Sequence, residues 1–436
     1  MLVLKFGGTS VGSAARIKEV EKLVNTPDSK IVVLSAMSGT TNKLVEIANY
    51  LYKKNNEGAN ELISSLEQIY YEVVKELFFT PEYIEKGNEL IQSHFKYIKS
   101  FTQDLFTIFE EKAILAQGEL LSTALFHYYL SEQNIASVLL PALNYMRIDK
   151  NGEPDLTAIK ENLKNELDSN PNQTLFITQG FICRNAYGEI DNLKRGGSDY
   201  TASLIGAAIQ AKEIQIWTDI DGMHNNDPRI VEGTRPLANI SFDEAAELAY
   251  FGAKILHPAS VQPAKVENIP VRLKNTLQPE AHGTLITSQT KGEGIKAIAA
   301  KDNITAIKIK SGRMLLAHGF MRKVFEIFET YKTPIDMITT SEVAVSVTID
   351  DTKYLNDIVD ELKKYGTVET DEDLTIICIV GDFIAESKGY ALTIFEALKN
   401  IPIRMISYGG SRHNVSILIN TKHKKEALNS LNSTLF

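Results

Sequence analysis

A lysine stands near the N-terminus at the junction between an apolar segment and a glycine-rich turn. Residues 2–6 (LVLKF) are followed at once by Gly7 and Gly8. Two glycines after a strand allow a tight turn that presents consecutive N–H groups to an anion, and a following helix adds its N-terminal dipole. Lys5 adds a positive charge at the same point, so the spacing predicts a phosphate site. It is neither a Walker A loop, because Ser13 stands where that motif requires lysine, nor the dinucleotide fingerprint G-x-G-x-x-G.

Two further segments combine small, hydroxyl and charged residues in a way that suits an anion. Residues 35–42 (SAMSGTTN) repeat the pattern of an apolar run followed by a turn of small residues, and residues 195–201 (RGGSDYT) combine a guanidinium with a tight turn and a carboxylate. An ordinary helix start would explain Ser198 as the N-cap and Asp199 as an acid that favours the helix dipole. It would not explain Arg195 beside two glycines.

Charged residues also occur in two later segments. Residues 217–229 (WTDIDGMHNNDPR) follow an apolar run, and residues 251–258 (FGAKILHP) form the second segment. The first segment is either a solvated, salt-bridged loop or, at the end of a strand in an open α/β sheet, a binding loop. Lys254 in the second segment either extends to solvent or neutralises phosphate charge. Each motif by itself leaves both alternatives open.

The elements that must position these residues alternate between strand and helix. Short apolar runs predict strands, and the apolar spacing of 14–24 predicts a helix between the first two of them. This order predicts an α/β fold with a mainly parallel sheet covered on both faces. A charged, helix-favouring region at about 41–130 is interpreted as a helical insertion on the substrate side. The predicted strands are 2–6, 31–35, 136–140, 174–178 and 214–218.

The C-terminal third contains an internal repeat. Residues 334–339 (PIDMIT) recur as 402–407 (PIRMIS). A matching amphipathic segment precedes each copy, at 324–328 and 394–398, and a matching apolar strand follows each copy, at 345–349 and 415–419. The order of elements predicts two copies of a small βαββαβ unit.

Composition limits the classes of protein that remain. The chain has 436 residues, a formal net charge of −9 and two cysteines, Cys183 and Cys378. The negative charge argues against nucleic acid or an anionic membrane as partner, and no apolar run is long enough to span a bilayer. The cysteine and histidine spacing suggests neither a disulfide framework nor a metal site. We expect a cytoplasmic protein without a signal peptide.

Taken in order, the motifs resemble those of the aspartokinases. They are KFGGTSVG, SGTTN, QGELLS (117–122), RGGSDYTA (195–202), WTDIDG…DPR and YFGAKILHP (250–258), and the resemblance covers nearly the whole chain. It implies a three-layer amino-acid-kinase catalytic domain at 1–297, with the insertion at about 41–130. Two ACT domains of the ferredoxin-like βαββαβ type are implied to follow, at 298–372 and 373–436.

The resemblance implies transfer of the ATP γ-phosphoryl group, with Mg²⁺, to the side-chain carboxylate of L-aspartate. This is the first step toward lysine, threonine, methionine and diaminopimelate. Arg195 suits the α-carboxylate of the substrate and Glu119 its ammonium group. His224 departs from the tyrosine of some relatives. The implied catalytic residues are Lys5 and Asp199; the implied substrate residues are Thr41, Glu119, Phe181, Arg195 and Ser198; the implied nucleotide residues are Lys5, Gly7, Gly8, Thr218, Asp219, His224, Arg229 and Lys254.

The first repeat is implied to bind an allosteric amino acid, most like the lysine-sensitive class. Lysine is favoured over threonine because Asp336 and Glu342 offer carboxylates to ammonium groups, although Asp336 could also be an ordinary strand-edge residue. Ala317 and Pro334 depart from the serines of that class. ACT domains also imply a homodimer or a higher oligomer. The implied effector residues are Met314, Phe320, Asp336, Thr340, Ser341 and Glu342.

Two alternatives remain at this point. Another amino-acid kinase of the same fold would lack this combination of motifs. A non-catalytic amino-acid sensor would have no need of Lys5, Glu119, Arg195, Asp199 and Lys254. We expect no homoserine dehydrogenase domain, because the chain ends after the second repeat.

Overall fold

The chain divides into two units, each with its own sheet and core. The computed structural model describes residues 1–103, 105–193, 196–252, 256–288, 294–311, 318–382 and 388–436. The first unit consists of Met1–Met223, Ala238–Phe242 and Leu256–Gln289, and the second of His224–Leu237, Asp243–Ile255 and Thr290–Phe436.

Among the described residues of the first unit, eight strands form one sheet in the order β3-β4-β2-β1-β7-β9-β10-β8. Every neighbouring pair is parallel except β9 with β10. The continuous apolar runs explain this arrangement, because central parallel strands are covered on both faces. The predicted mainly parallel sheet is therefore confirmed. The strands are β1 (Leu2–Phe6), β2 (Lys30–Leu34), β3 (Val138–Leu140), β4 (Leu175–Gln179), β7 (Glu213–Thr218), β8 (Asn239–Ser241), β9 (Val271–Asn275) and β10 (Thr284–Thr287), and β5 (Ile182–Arg184) and β6 (Ile190–Asn192) form a separate hairpin.

Helices cover this sheet. The predicted helix 14–24 is observed with these bounds, and Ser13 caps it by accepting a hydrogen bond from the Arg16 amide at 3.3 Å. The region expected to be helical contains four long helices, α2 to α5. The helices of this part are α1 (Ala14–Val24), α2 (Thr40–Tyr52), α3 (Asn56–Leu77), α4 (Pro81–Ser100), α5 (Ile108–Glu132), α6 (Ala142–Tyr145), α7 (Leu156–Asp168), α8 (Gly197–Ile209) and α10 (Gln262–Val266), and all of α9 (Phe242–Tyr250) after its first residue belongs to the second unit.

The described part of the second unit forms a six-stranded sheet in the order β12-β13-β11-β14-β16-β15. Its neighbouring strands are antiparallel. Its strands are β11 (Gly294–Lys310), β12 (Ile338–Thr340), β13 (Ala344–Ile349), β14 (Thr367–Asp382), β15 (Ile403–Tyr408) and β16 (Asn414–Asn420), and its further helices are α11 (Phe320–Thr330), α12 (Leu355–Leu362), α13 (Tyr390–Ala397) and α14 (Lys424–Leu435).

The two sequence repeats build two halves of this sheet, each with a separate apolar core. Two long strands run through both halves. β14 pairs with β11 along nearly its whole length, so residues 294–301 complete the second half although they precede the first repeat. The expected boundaries at 297/298 and 372/373 fall inside β11 and β14, and the division into domains at those residues stays a prediction.

Candidate active site

Four strand ends meet at one edge of the parallel sheet. The register pairs Phe6 with Leu34 and Trp217, and Leu34 with Gln179. β1 has β2 on one side and β7 on the other, so the order of connections switches here, and ligands of open α/β sheets bind outside the carboxyl ends at such a point. The segments that follow β1, β2, β4 and β7 begin at Gly7, Ser35, Gly180 and Asp219.

The Lys5 ammonium forms an ion pair at this edge. Its Nζ lies 2.6 Å from Asp199 Oδ1, and the two side chains are 12% and 15% exposed. Asp199 lies in the first turn of α8, where the helix dipole favours a negative charge. A Cβ built on Gly7 would lie 3.5 Å from Nζ, so the ammonium lies beside the glycine turn. The predicted pairing of Lys5 with the glycines and with Asp199 is present in the structure.

The glycine turn packs tightly against the second predicted anion loop. A Cβ on Gly8 would lie 2.9 Å from the Ala36 carbonyl oxygen, and the Ser38 amide donates to the Gly8 carbonyl at 3.1 Å. Glycine is required here by this close approach of the two backbones. The structure thus brings the turns after β1 and β2 together, as the motif interpretation requires.

Glu119 lies in the interior of α5 and faces the turn after β2. Its side chain is 3% exposed; Oε1 accepts a hydrogen bond from the Ala36 amide at 3.2 Å, and Oε2 has no hydrogen-bond partner. Burial raises the pKa of Glu119 to about 7, against the opposing effect of the Ala36 hydrogen bond. Gly118 makes the approach possible, because a Cβ there would lie 2.8 Å from the Ala36 Cβ. A buried carboxylate whose second oxygen has no hydrogen-bond partner is suited to bind a cationic group.

Hydroxyl groups connect the same elements. The Ser35 hydroxyl donates to Ser198 Oγ at 2.9 Å, and the Ser122 hydroxyl donates to the Ser35 carbonyl at 2.8 Å. Ser198 is 9% exposed and so close to Gly180 that a Cβ there would lie 2.4 Å from its Oγ. The roles of Ser35, Ser122 and Gly118 were missed in the sequence, although all three lie within the quoted motifs.

The other substrate residues lie on neighbouring turns. Thr41 is in the first turn of α2, and the adjacent Thr40 shares a hydrogen bond of 3.0 Å with the buried Tyr70 hydroxyl. Phe181 has a positive φ of 68°, a backbone region that L-residues seldom adopt. The Phe181 amide donates to Thr201 Oγ1 at 2.9 Å, and its ring leaves no room for a side chain at Gly197.

The predicted nucleotide residues divide between the two units. Thr218 ends β7, donates its hydroxyl to Asp219 Oδ1 at 3.1 Å, and lies at the same strand edge as Lys5. In the second unit, His224 Nδ1 lies 3.1 Å from Thr234 Oγ1. Arg229 is 82% exposed and makes two hydrogen bonds to Asp227, which lower the pKa of the Asp227 carboxyl.

Asp336 is a buried ion-pair partner. Its side chain is fully buried; Oδ1 lies 2.7 Å from Lys301 Nζ and accepts a hydrogen bond from the Tyr250 hydroxyl at 3.0 Å. Lys301 is shared with Asp350 at 2.8 Å. Burial raises the pKa of Asp336, and Lys301 opposes this rise without cancelling it. Asp336 therefore has specific partners, an ion pair with Lys301 and a hydrogen bond from Tyr250, which an ordinary strand-edge aspartate would not need.

The remaining effector residues have contrasting environments. Phe320 begins α11 and packs in the core of the first half of the sheet at 8% exposure. Thr340, Ser341 and Glu342 are exposed at the end of β12. Three predicted site residues, Arg195, Lys254 and Met314, lie outside the described residues.

No group of three or more histidine, cysteine, aspartate or glutamate side chains within the described residues could hold a metal ion. No helix within them is both long and apolar enough to cross a membrane. Cys183 and Cys378 are both free.

Comparison with known proteins gives a consistent result. The amino acid kinase family model matches residues 1–275, and an ACT domain model matches residues 377–435. Lysine-sensitive aspartokinase 3 of Escherichia coli is 33% identical over 449 residues, covering 100% of this chain and 99% of its own. Chloroplastic aspartokinase 1 of Arabidopsis thaliana is 35% identical over 460 residues, covering 100% of this chain and 80% of its own.

Solved structures agree. The structure of E. coli aspartokinase III in complex with lysine and aspartate has a TM-score of 0.86 at 33% identity, and covers 100% of this chain and 99% of that one. The structure of the same enzyme with aspartate and ADP has a TM-score of 0.84 at 33% identity, with 100% of both chains covered.

Proposed function

The chain belongs to the amino acid kinase family as an aspartokinase, and we propose that it binds L-aspartate beside α5 and the N-terminus of α8. Aspartokinases transfer the γ-phosphoryl group of ATP to the side-chain carboxylate of aspartate. The observation that carries the proposal is the buried Glu119, whose Oε2 lacks a partner, at the sheet edge that also holds the Lys5–Asp199 pair. Glu119 receives the substrate ammonium. Arg195 pairs with the α-carboxylate, and Thr41, Phe181 and Ser198 complete the pocket.

The reaction requires no general base. An aspartate side chain has an ordinary pKa of about 3.9, so the attacking carboxylate is already ionised at neutral pH. Its oxygen forms a bond to the γ-phosphorus as the bond from that phosphorus to the β–γ bridging oxygen breaks, and ADP leaves. The remaining difficulty is to bring two anions into line, which is a problem of positioning and charge neutralisation.

Lys5 supplies the neutralising charge in this proposal. Its ammonium lies beside the glycine turn, so it is placed to stabilise the negative charge of the phosphoryl group as it is transferred. Asp199 is 2.6 Å away and keeps the ammonium in place in the absence of substrate. Gly7 and Gly8 offer backbone N–H groups to phosphate.

ATP enters as its Mg²⁺ complex. Mg²⁺ usually keeps several waters and binds through phosphate oxygens with one or two carboxylates, so the absence of a three-ligand cluster among the described residues is compatible with this role. The nucleotide residues that the resemblance implies are Thr218, Asp219, His224, Arg229 and Lys254. The E. coli relative has been solved with aspartate and ADP, which supports ATP as the second substrate.

Substrate analogues test the role of Glu119. Succinate is aspartate without its ammonium group, and β-alanine is aspartate without its α-carboxylate. A charge-assisted contact contributes about 1.5–3 kcal/mol, so the wild-type enzyme should prefer aspartate over succinate by about 10- to 150-fold through Glu119. In Glu119→Gln this preference should largely disappear, whereas the preference for aspartate over β-alanine should persist. Arg195→Ala should give the reverse pattern. An unchanged preference over succinate in Glu119→Gln would remove Glu119 from the ammonium site.

Lysine is the proposed feedback inhibitor. The E. coli relative is named as lysine-sensitive and has been solved with lysine, and the first repeat here carries the carboxylates Asp336 and Glu342. Met314, Phe320, Thr340 and Ser341 complete the proposed site. Inhibition requires that lysine bind one conformation better than another. Steady-state assays with lysine, threonine and both should show lysine inhibition that weakens in Asp336→Ala and Glu342→Ala. Full sensitivity in both variants would exclude this site.

A homodimer or a higher oligomer, joined through the second unit, is part of the proposal. β12 and β15 are the outer strands of the described six-stranded sheet, and outer strands carry backbone groups that can pair with a second copy. We also propose a cytoplasmic location, which suits the free thiols of Cys183 and Cys378 and the use of ATP.

A further inference from the structure

A short hairpin lies in the sequence between two of the residues proposed to bind aspartate. Its strands, β5 and β6, are three residues each and form a sheet of their own beside the main one. Phe181 directly precedes β5, and Arg195 follows β6 by three residues in the sequence. The Leu193 amide donates to the Phe181 carbonyl at 2.7 Å and so closes the hairpin at its base. The position of the hairpin therefore affects where Phe181 lies.

The hairpin depends on contacts with other elements, because a two-stranded sheet is at best marginally stable by itself. The segment before α7 supports β5: the Arg184 amide donates to the Met146 carbonyl at 3.0 Å, and the Ile148 amide donates to the Arg184 carbonyl at 3.0 Å. In the described sheet, β6 pairs with β5 alone. The position of β6 therefore depends on its side-chain contacts.

An ion pair joins β6 to α5. Lys112 Nζ lies 2.7 Å from Asp191 Oδ2, and the two side chains are 27% and 11% exposed. The other oxygen of Asp191, Oδ1, accepts a hydrogen bond from the Asn192 amide at 2.7 Å, so both oxygens of the carboxylate are engaged. Lys112 precedes Glu119 by seven residues on α5, which is two helical turns or about 10.5 Å, and the two side chains lie on the same face. α5 thus carries both the partner of the hairpin and the carboxylate proposed to bind the substrate ammonium.

A cavity of about 500 Å³ lies beside this contact. Its walls come from the first two turns of α5, from residues 148–152 and from the hairpin. Lys112, Asp191 and Phe181 all line it. Side chains do not fill this space, so close packing does not hold the hairpin against α5 here. Loss of the ion pair would leave the hairpin room to move.

We propose that Lys112 and Asp191 are positioning residues that set the distance between Glu119 and the Phe181 side of the aspartate pocket. With this distance fixed, the ammonium group and the α-carboxylate of one substrate molecule are recognised at the same time. The inference rests on the proposed binding of aspartate beside α5. The pair acts on recognition and not on phosphoryl transfer, because Lys5 and the glycine turn belong to β1 and the segment that follows it.

Asp191→Asn tests this role, because asparagine keeps an acceptor for the Asn192 amide and removes the charge. The aspartate KM should rise about tenfold while kcat stays within about twofold of wild type, as expected for loss of an interaction that serves ground state and transition state equally. Glu213→Gln is the matched control. It breaks the ion pair between Glu213 and Arg272, which is 2.9 Å long with side chains 17% and 26% exposed, at the start of β7 and so at the opposite end of that strand from Thr218. This control should keep the wild-type KM.

Substrate preference separates positioning from general destabilisation. Succinate lacks the ammonium group of aspartate, and β-alanine lacks its α-carboxylate. In Asp191→Asn the preference for aspartate in kcat/KM should fall severalfold over both analogues, because the two groups are no longer bound together. Glu119→Gln should lower the preference over succinate alone. A fold that is only less stable would lower kcat/KM equally for all three compounds and leave both preferences unchanged.

Variants of Lys112 complete the test and serve should Asp191→Asn fail to fold. Lys112→Met should reproduce the rise in KM, whereas Lys112→Arg keeps the charge and should stay near wild type. An unchanged KM in Asp191→Asn and Lys112→Met would overturn the inference, as would an equal rise in Glu213→Gln or a Lys112→Arg enzyme that behaves like Lys112→Met. Failure of the wild-type chain to phosphorylate aspartate would overturn the proposed function and this inference with it. An active wild type with unaffected variants would overturn the inference alone, so the two failures are distinguishable.

Discussion

Replacement of Glu119 by glutamine should make the protein more stable and the enzyme weaker. Burial raises the pKa of this carboxyl from 4.5 to about 7, so the fold resists its ionisation. The difference corresponds to about 3 kcal/mol of unfolding free energy that is lost when Glu119 ionises in the folded state. The contribution of the protonated Glu119 carboxyl to the free energy of unfolding is fully present below about pH 4.5, and it is lost as the pH rises through about 7. Glutamine is not subject to this loss.

At pH 8 we therefore expect Glu119→Gln to raise the free energy of unfolding by about 1–3 kcal/mol. The lower figure allows for the glutamine amide nitrogen, which is itself left without a partner. The gain should vanish toward pH 4.5. Urea unfolding at the two pH values measures it, and Glu161→Gln, an exposed position on α7, controls for the general loss of a negative charge.

Catalysis should depend on pH in the opposite direction to stability. The substrate ammonium requires ionised Glu119, so kcat/KM for aspartate should fall about tenfold per pH unit below about 7 and level off above it. In Glu119→Gln the value should be about 10- to 150-fold lower at pH 8 and should lose this dependence. A variant that is less stable than wild type at pH 8, or that keeps the wild-type pH profile, would refute the account of Glu119.

Three further predictions concern the catalytic edge, the packing of α5 and the assembly. Lys5→Ala should lower kcat by about 10²- to 10³-fold with a smaller effect on the aspartate KM, because its charge is needed mostly in the transition state; near-normal turnover would exclude the role. Gly118→Val should raise the aspartate KM and lower the unfolding midpoint, since a Cβ would lie 2.8 Å from the Ala36 Cβ; wild-type values for both would show that α5 adjusts freely. Light scattering should give at least a dimer at micromolar concentration, and an active monomer would contradict this.

The sequence was most informative where the pattern is local. The strand 2–6 and the helix 14–24 are observed with the predicted bounds, because apolar spacing and the Ser13 cap act within a few residues. The mainly parallel sheet follows from the alternation of such segments. The internal repeat likewise predicted the two halves of the second sheet, since each half has the same order of helices and strands.

The contacts that tune the site are not local, and the sequence could not reveal them. Glu119 was singled out as a substrate residue, but its raised pKa arises from burial, and the hydrogen bond that opposes this rise comes from the turn 83 residues earlier. Asp336 was singled out as an effector residue, but the contact of its Oδ1 with Lys301, 35 residues away, could not be read from the sequence. β11 was not expected to serve both halves of the second sheet, because strand register depends on packing across the whole unit.

Formation of the acyl phosphate tests the central claim most directly. The full chain is incubated with ATP, Mg²⁺ and L-aspartate in the presence of hydroxylamine, which captures an acyl phosphate as a hydroxamate. Aspartyl hydroxamate should form in step with ADP, should require both substrates, and should be reduced by orders of magnitude in Lys5→Ala. ATP hydrolysis without hydroxamate, or hydroxamate formation from N-acetylglutamate or glutamate in preference to aspartate, would contradict the assignment.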